Sequence, residues 1–145
     1  MNLKLEVVVI PVSDVDRAKK FYQEKLGFRV DIDTERPVAP GKKIRAVQLT
    51  PPGSQCSIHI GDGITDAKPG TYQKTYLVTS DIEATRAELV KRGVDVSEPF
   101  HFSAEGFAPG LDPERQTYNS FVSFNDPDGN GWLIQEITKR LPGRE

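Results

Sequence analysis

The sequence predicts an α+β fold built from two βαβββ modules in a chain of 145 residues. Three observations carry that prediction. The segment "VVVIPVSDVDRAKKFYQEKLGF" has a weaker echo in "KTYLVTSDIEATRAELVKRGV", with Ser13-Asp14 matching Ser80-Asp81 at a shift of 67 positions. Each of these segments is followed by extended stretches rich in β-branched and aromatic residues. The last hairpins also correspond, at a shift of 76, where "PGSQCSIHI" lies over "DGNGWLIQE" and pairs Gly53 with Gly129 and Ser57 with Leu133.

In chain order, the β-branched run around Val7 to Ile10 reads as a strand. Ser13 then stands as a helix N-cap with Asp16 three positions on, and Ser80 repeats the arrangement with Glu83. Val15, Ala18, Phe21, Tyr22 and Leu26 recur at helical spacing, as do Ile82, Leu89 and Val90, so helices are expected near residues 14 to 26 and 81 to 92. Gly27 and Gly93 stop them, because glycine accepts the left-handed conformation past a helix end without a Cβ clash. Strands are expected in "FRVDID", "IRAVQLT" and "CSIHIG" after the first helix, and in "VDVSEPF", "NSFVSF" and "WLIQEI" after the second. The chain is read as one domain, 1–145, with module 1 at about 1–62, a Pro/Gly-rich linker at 63–71 and module 2 at about 72–140. Residues 103–118 read as a structureless insertion, either a lid or disordered. Phe100, Phe102, Phe107 and Tyr118 bracket it, as a lid's aromatic face or as anchors for the loop.

Composition narrows the partners. The 19 basic and 21 acidic residues give a net charge of −2 with no block of one sign, which argues against nucleic acid and anionic membrane and leaves a small organic ligand. A single cysteine, Cys56, excludes an internal disulfide and suits a reducing compartment, so a cytoplasmic location is expected. No apolar stretch reaches the length of a membrane span and no signal sequence is evident, so a soluble, unexported protein is expected.

The two βαβββ modules, with "VVIPVSDVDRAKKFYQEKLGF" near the start and "FNDPDGNGWLIQEI" near the end, closely resemble the vicinal oxygen chelate superfamily. That group includes glyoxalase I, bleomycin resistance proteins, extradiol dioxygenases and fosfomycin resistance enzymes. The resemblance implies sheets curled into a cup and, by analogy with the bleomycin resistance branch, a homodimer. In the enzymes a divalent metal is held from the first and fourth strands of each module, and those positions fall here on Val7, Lys74, Ser57 and Leu133. None of the four is an ordinary metal ligand at neutral pH, and an ammonium at Lys74 would repel a cation. The resemblance therefore implies a binder of a small molecule with a degenerate metal site and no cofactor. The alternative is a metal-dependent lyase or ring-cleaving dioxygenase that recruits His59, His101 or Glu136.

Strand alternation extends the candidate site by one step on each strand. Val7 shares a face with Val9, Ser57 with His59, Lys74 with Tyr76, and Leu133 with Gln135, so these eight residues are the expected ligand-binding set. Lys74, His59 and Gln135 would supply directional contacts, and Tyr76 a stacking wall. Cys56 is expected to point away from the site. Glu136 falls on the opposite face from Leu133, where a solvated carboxylate is expected, and His101 is expected to be an exposed loop histidine. The Asp126 to Asn130 segment reads as a turn.

Overall fold

The computed structural model describes residues 1–144, and the chain forms two compact units. The first contains Met1–Gln73 together with Asp126–Asn130, the second Lys74–Asn125 together with the residues from Gly131 onward. Each carries one helix and one mixed sheet, so the fold is α+β as expected.

In the first unit, strand β1 (Val7–Val9) leads to helix α1 (Val15–Lys20), which passes into a π-helical turn at Phe21–Lys25. Strands β2 (Arg29–Ala39), β3 (Lys42–Thr50) and β4 (Ser57–Asp62) follow, in the sheet order β1-β4-β3-β2 with β1 and β4 parallel. Alternation sorts the sheet's two faces. Val47, Leu49, Ile58 and Ile60 are buried on the helix side with Val15, Ala18 and Tyr22. Arg45 and Asp33 mark the same side at its rim: Arg45 pairs with Asp16 on the helix at 2.8 Å, and Asp33 with Lys19 at 2.8 Å. The other face carries Ile32, Thr34, Ala46, Gln48 and His59. Gly27 takes φ 73 immediately after the π turn, as its expected role requires.

The helix cap sits one residue later than the sequence suggested. Asp14 accepts from Arg17 N at 3.1 Å, and Asp81 accepts from Ala84 N at 3.1 Å. Ser13 has a different job, donating through its hydroxyl to Asp128 at 2.5 Å. The 126–130 segment is more than a turn for the same reason. Asp126 accepts from the Tyr22 hydroxyl at 2.7 Å, and Asn130 donates to the carbonyl of Pro11 at 2.8 Å.

In the second unit, β5 (Thr75–Thr79) leads to α2 (Ile82–Lys91), then β6 (Phe100–Ser103), β7 (Gly106–Pro109), β8 (Phe121–Asn125) and β9 (Gly131–Glu136). The sheet order is β5-β9-β8-β6-β7, with β5 and β9 parallel. Ile82, Leu89, Val94, Val96, Val122, Phe124, Trp132 and Ile134 form its core. Two expectations are corrected here. The "VDVSEPF" segment is not a strand before Phe100: Ser97 alone exchanges bonds with Ser123, and Pro99 has no N–H to extend the ladder. The insertion is not structureless either, because β6 and β7 form a hairpin through it, with Phe102 opposite Phe107.

Among the described residues, no helix is long and apolar enough to cross a membrane.

Candidate ligand site on the first sheet

The face of the first sheet away from α1 holds a cavity of about 240 Å³, lined by Ile32, Thr34, Arg36, Ile44, Ala46, Gln48 and His59. Register explains its shape. Ile32, Gln48 and His59 lie side by side in one row, Thr34, Ala46 and Gly61 in the next, and Arg36 and Ile44 in a third. The middle row is made of small residues, so the floor sinks between two taller rows. Gly61 is required there, since a Cβ would lie 1.9 Å from the carbonyl oxygen of Arg45. Gly61→Ala is expected to force the backbone apart and cost about 1–3 kcal/mol, visible as a lower urea midpoint; an unchanged midpoint would mean that the strands separate freely at this point.

A chain of hydrogen bonds runs across the same face. Asp31 sits at a register shift in β2 between Val30 and Ile32, where a bulge re-aims its carboxylate. It accepts from the hydroxyl of Thr50, and Arg29 donates to it at 2.6 Å. Arg29 and then Thr50 hold its carboxyl below the usual range, so it is an anion and accepts only. Thr50 has one proton and spends it on Asp31, so Ser57 donates to Thr50 across 2.6 Å. Ser57 then accepts from the Gln48 amide at 3.4 Å, which turns the Gln48 carbonyl toward His59 Nε2 at 2.8 Å. The polarity set at Asp31 thus makes Nε2 of His59 the protonated nitrogen and leaves Nδ1 as the ring's acceptor.

Of the expected residues, Val7, Val9, Ser57 and His59 share this face, with Val7 beside Ser57 and Val9 beside His59. In the second unit, Tyr76 lies beside Leu133 and Val78 beside Gln135 on one face of the sheet. Tyr76 is 55% exposed, while Gln135 is tied to the Tyr118 carbonyl at 2.9 Å. Lys74 departs from its expected place. It precedes β5 and has φ 60, so it is not part of the extended strand. Leu133 is the counterpart of Ser57, and the ladder puts Tyr76, not Lys74, at the position matching Val7, a shift of 69. The helix caps repeat at 67, from Asp14 to Asp81, because the strand-to-helix connection is two residues longer in the first module. A difference of two preserves the face and moves the position.

Two other residues differ from expectation. His101 is buried and donates through Nδ1 to the Gly110 carbonyl at 2.8 Å, because the ordered β6–β7 hairpin encloses it. Glu136 is only 2% exposed, on the helix-facing side as alternation requires but not solvated. Arg115 donates to it at 2.8 and 3.1 Å, and Ile82 N at 2.9 Å. The residues that sequence reasoning missed are Ile32, Thr34, Arg36, Ile44, Ala46 and Gln48. The alternation of Ile44, Ala46 and Gln48 was legible, but Pro37 and the charged run before it concealed the extension of β2 to Ala39.

Residues 4–134 match the family described as the Glyoxalase/Bleomycin resistance protein/Dioxygenase superfamily. The chain belongs to this superfamily. It is 26% identical over 137 residues to the uncharacterized protein YetH of Bacillus subtilis (strain 168), covering 94% of this chain and 100% of that one. Its structure is similar to that of TnmS3, an antibiotic binding protein from Streptomyces sp. CB03234, with a TM-score of 0.72, 28% identity and coverage of 94% and 97%. It is also similar to a superfamily member from Sphaerobacter thermophilus DSM 20745, with a TM-score of 0.69, 29% identity and coverage of 93% and 98%.

The residues at the metal-holding positions of the superfamily's enzymes do not fit a divalent cation. Val7, Leu133 and Ser57 offer no imidazole or carboxylate, and Tyr76, which takes the fourth position by register, offers only a phenol. Among the described residues, no group of three or more His, Cys, Asp or Glu is placed to hold a metal ion.

Proposed function

We propose that this member of the superfamily is a metal-independent binding protein for a small organic molecule, which it holds without transforming. The observation that carries the reading is the cavity on the first sheet, where Ile32, Ile44 and Ala46 give apolar surface and Thr34, Arg36, Gln48 and His59 give directional polar groups. Such a mixture is the usual make-up of a ligand pocket. The antibiotic-binding role named for TnmS3, similar over 94% of this chain, supports the same reading. Val7, Val9 and Ser57 extend the binding surface beside His59.

The metal-dependent alternative has less support. His101 Nδ1 already donates to Gly110, and Glu136 is occupied by Arg115 and Ile82. The protein is proposed to act as a homodimer in the cytoplasm; the exposed apolar surface of Tyr76, Val78, Phe102 and Phe107 supports a subunit contact.

A thermal-shift screen of aromatic and alicyclic compounds, run with and without EDTA, tests the proposal, with light scattering on the same sample. The expected result is a dimer with a hit that raises Tm equally in both conditions, is recovered chemically unchanged, and binds about tenfold more weakly to His59→Ala. Turnover of the hit, or a stoichiometric metal that survives dialysis and disappears in His59→Ala, would sink the binder reading.

A further inference from the structure

The cavity of the first sheet carries one solvent-exposed cation, Arg36, that has no carboxylate partner among the described residues. Four arginines lie in residues 1–73: Arg17, Arg29, Arg36 and Arg45. Arg17 pairs with Asp128, Arg29 with Asp31, and Arg45 with Asp16 and Asp33. Among the described residues, no carboxylate pairs with Arg36, and the cavity lining contains none. The surrounding carboxylates are accounted for. Asp33 and Glu35 alternate onto the helix side of β2, and Asp31 is held by Arg29 and Thr50.

Arg36 and the Gln48–His59 pair lie at opposite ends of the cavity, with the Thr34 hydroxyl in the row between them. Arg36 is in the row of Ile44, two rows from Gln48 and His59, so four residues of β3 separate the ends. At about 3.3–3.4 Å per residue the backbones are roughly 13 Å apart, a gap that the long arginine side chain shortens. Between them lie Ala46 and Gly61, a flat floor of small residues, flanked by Ile32 and Ile44. At the far end, the chain of donors from His59 to Asp31 leaves His59 Nδ1 as an acceptor, so it selects a ligand O–H or N–H.

We propose that the cavity takes an apolar organic acid: a flat, roughly two-ring body with an anionic oxygen group against Arg36 and a hydroxyl donating to His59 Nδ1. The inference rests on the reading of this cavity as a small-molecule site and adds its chemical class. Arginine's planar fork matches a carboxylate in two-point contact, and a neutral amide of the same shape cannot reproduce that pairing.

The test compares a hydroxynaphthoic acid, with carboxylate and hydroxyl at opposite ends of the ring pair, and its primary amide. Binding is followed by calorimetry and by amide shifts of Thr34, Ala46 and His59. The acid is expected to bind about tenfold or more tightly than the amide, a preference that disappears in Arg36→Met and shrinks in Arg36→Lys, which keeps the charge but loses the two-point contact. Lys43→Met, one residue from Ile44 on the opposite face, is expected to leave it unchanged. Equal binding of acid and amide, with shifts at the named residues, overturns the charge assignment and leaves the binding site standing. Absence of binding by both probes, with no shift at any of these amides, overturns both.

Discussion

Replacing Asp126 with alanine is expected to lower the unfolding free energy by about 3–5 kcal/mol. The carboxylate is 5% exposed and receives four donors. The Tyr22 hydroxyl donates to it at 2.7 Å, the Asn130 side chain at 2.8 Å, and the backbone N–H groups of Asp128 and Asn130 at 2.9 Å each. Alanine removes the acceptor and leaves the Tyr22 and Asn130 donors unsatisfied in a buried site. Tyr22→Phe isolates one of the four bonds and is expected to cost about 1.5–3 kcal/mol, since the ring keeps its stacking on Phe28 at 5.8 Å while the Asp126 carboxylate keeps its other partners. Urea denaturation of both variants measures the difference. A loss below about 1 kcal/mol for Asp126→Ala would mean that the segment is held by Asn130 and Asp128 alone.

The second large effect lies in the other unit and depends on pH. Arg115 holds the Glu136 carboxyl below its usual value of 4.5, with the Ile82 N–H helping and burial opposing. A carboxyl lowered in the folded state contributes stability that is present in full above the unfolded value. That contribution is lost as pH falls through the lower, folded one. Glu136→Gln is therefore expected to cost about 1–3 kcal/mol at pH 7, and the gap to the unmodified protein should narrow as pH drops below about 4.5. Arg115→Met should flatten the acid limb in the same way. Denaturant midpoints between pH 7 and pH 3 check this; a gap that stays constant across the range would show that the pair's ionisation contributes nothing. The pair also pins a strained stretch of chain. Arg115 and Tyr118 take φ 48 and 72, and the Tyr118 N–H donates to the Glu136 carbonyl at 2.8 Å.

Much of the fold was legible because periodicity reports which face of an element is buried. The alternation of Trp132, Ile134 and Glu136 against Leu133 and Gln135 was readable from residue order, and Glu136 does lie on the helix side. Its state was not readable. Whether that carboxylate meets water or a guanidinium depends on Arg115, 21 positions earlier in the chain, turning back onto β9. His101 is buried for a similar reason: a hairpin of four-residue strands with Gly106 next to its turn has the composition of a loop until the two strands pair.

The sequence by itself determined the duplication, both helices with their glycine stops, and the pairing of Val7 with Val9 and Ser57 with His59 on common faces. These follow from spacing of 2 and 3.6 residues and from side-chain chemistry, which are local properties. Only the tertiary structure decided that Tyr76, and not Lys74, stands opposite Leu133, since register depends on the length of a connection that leaves no local signature. It also decided the site's chemistry. Arg36, Gln48 and His59 come from three strands, and only sheet pairing turns an isolated arginine, a glutamine and a histidine into one cavity with a cation at one end and an oriented acceptor at the other.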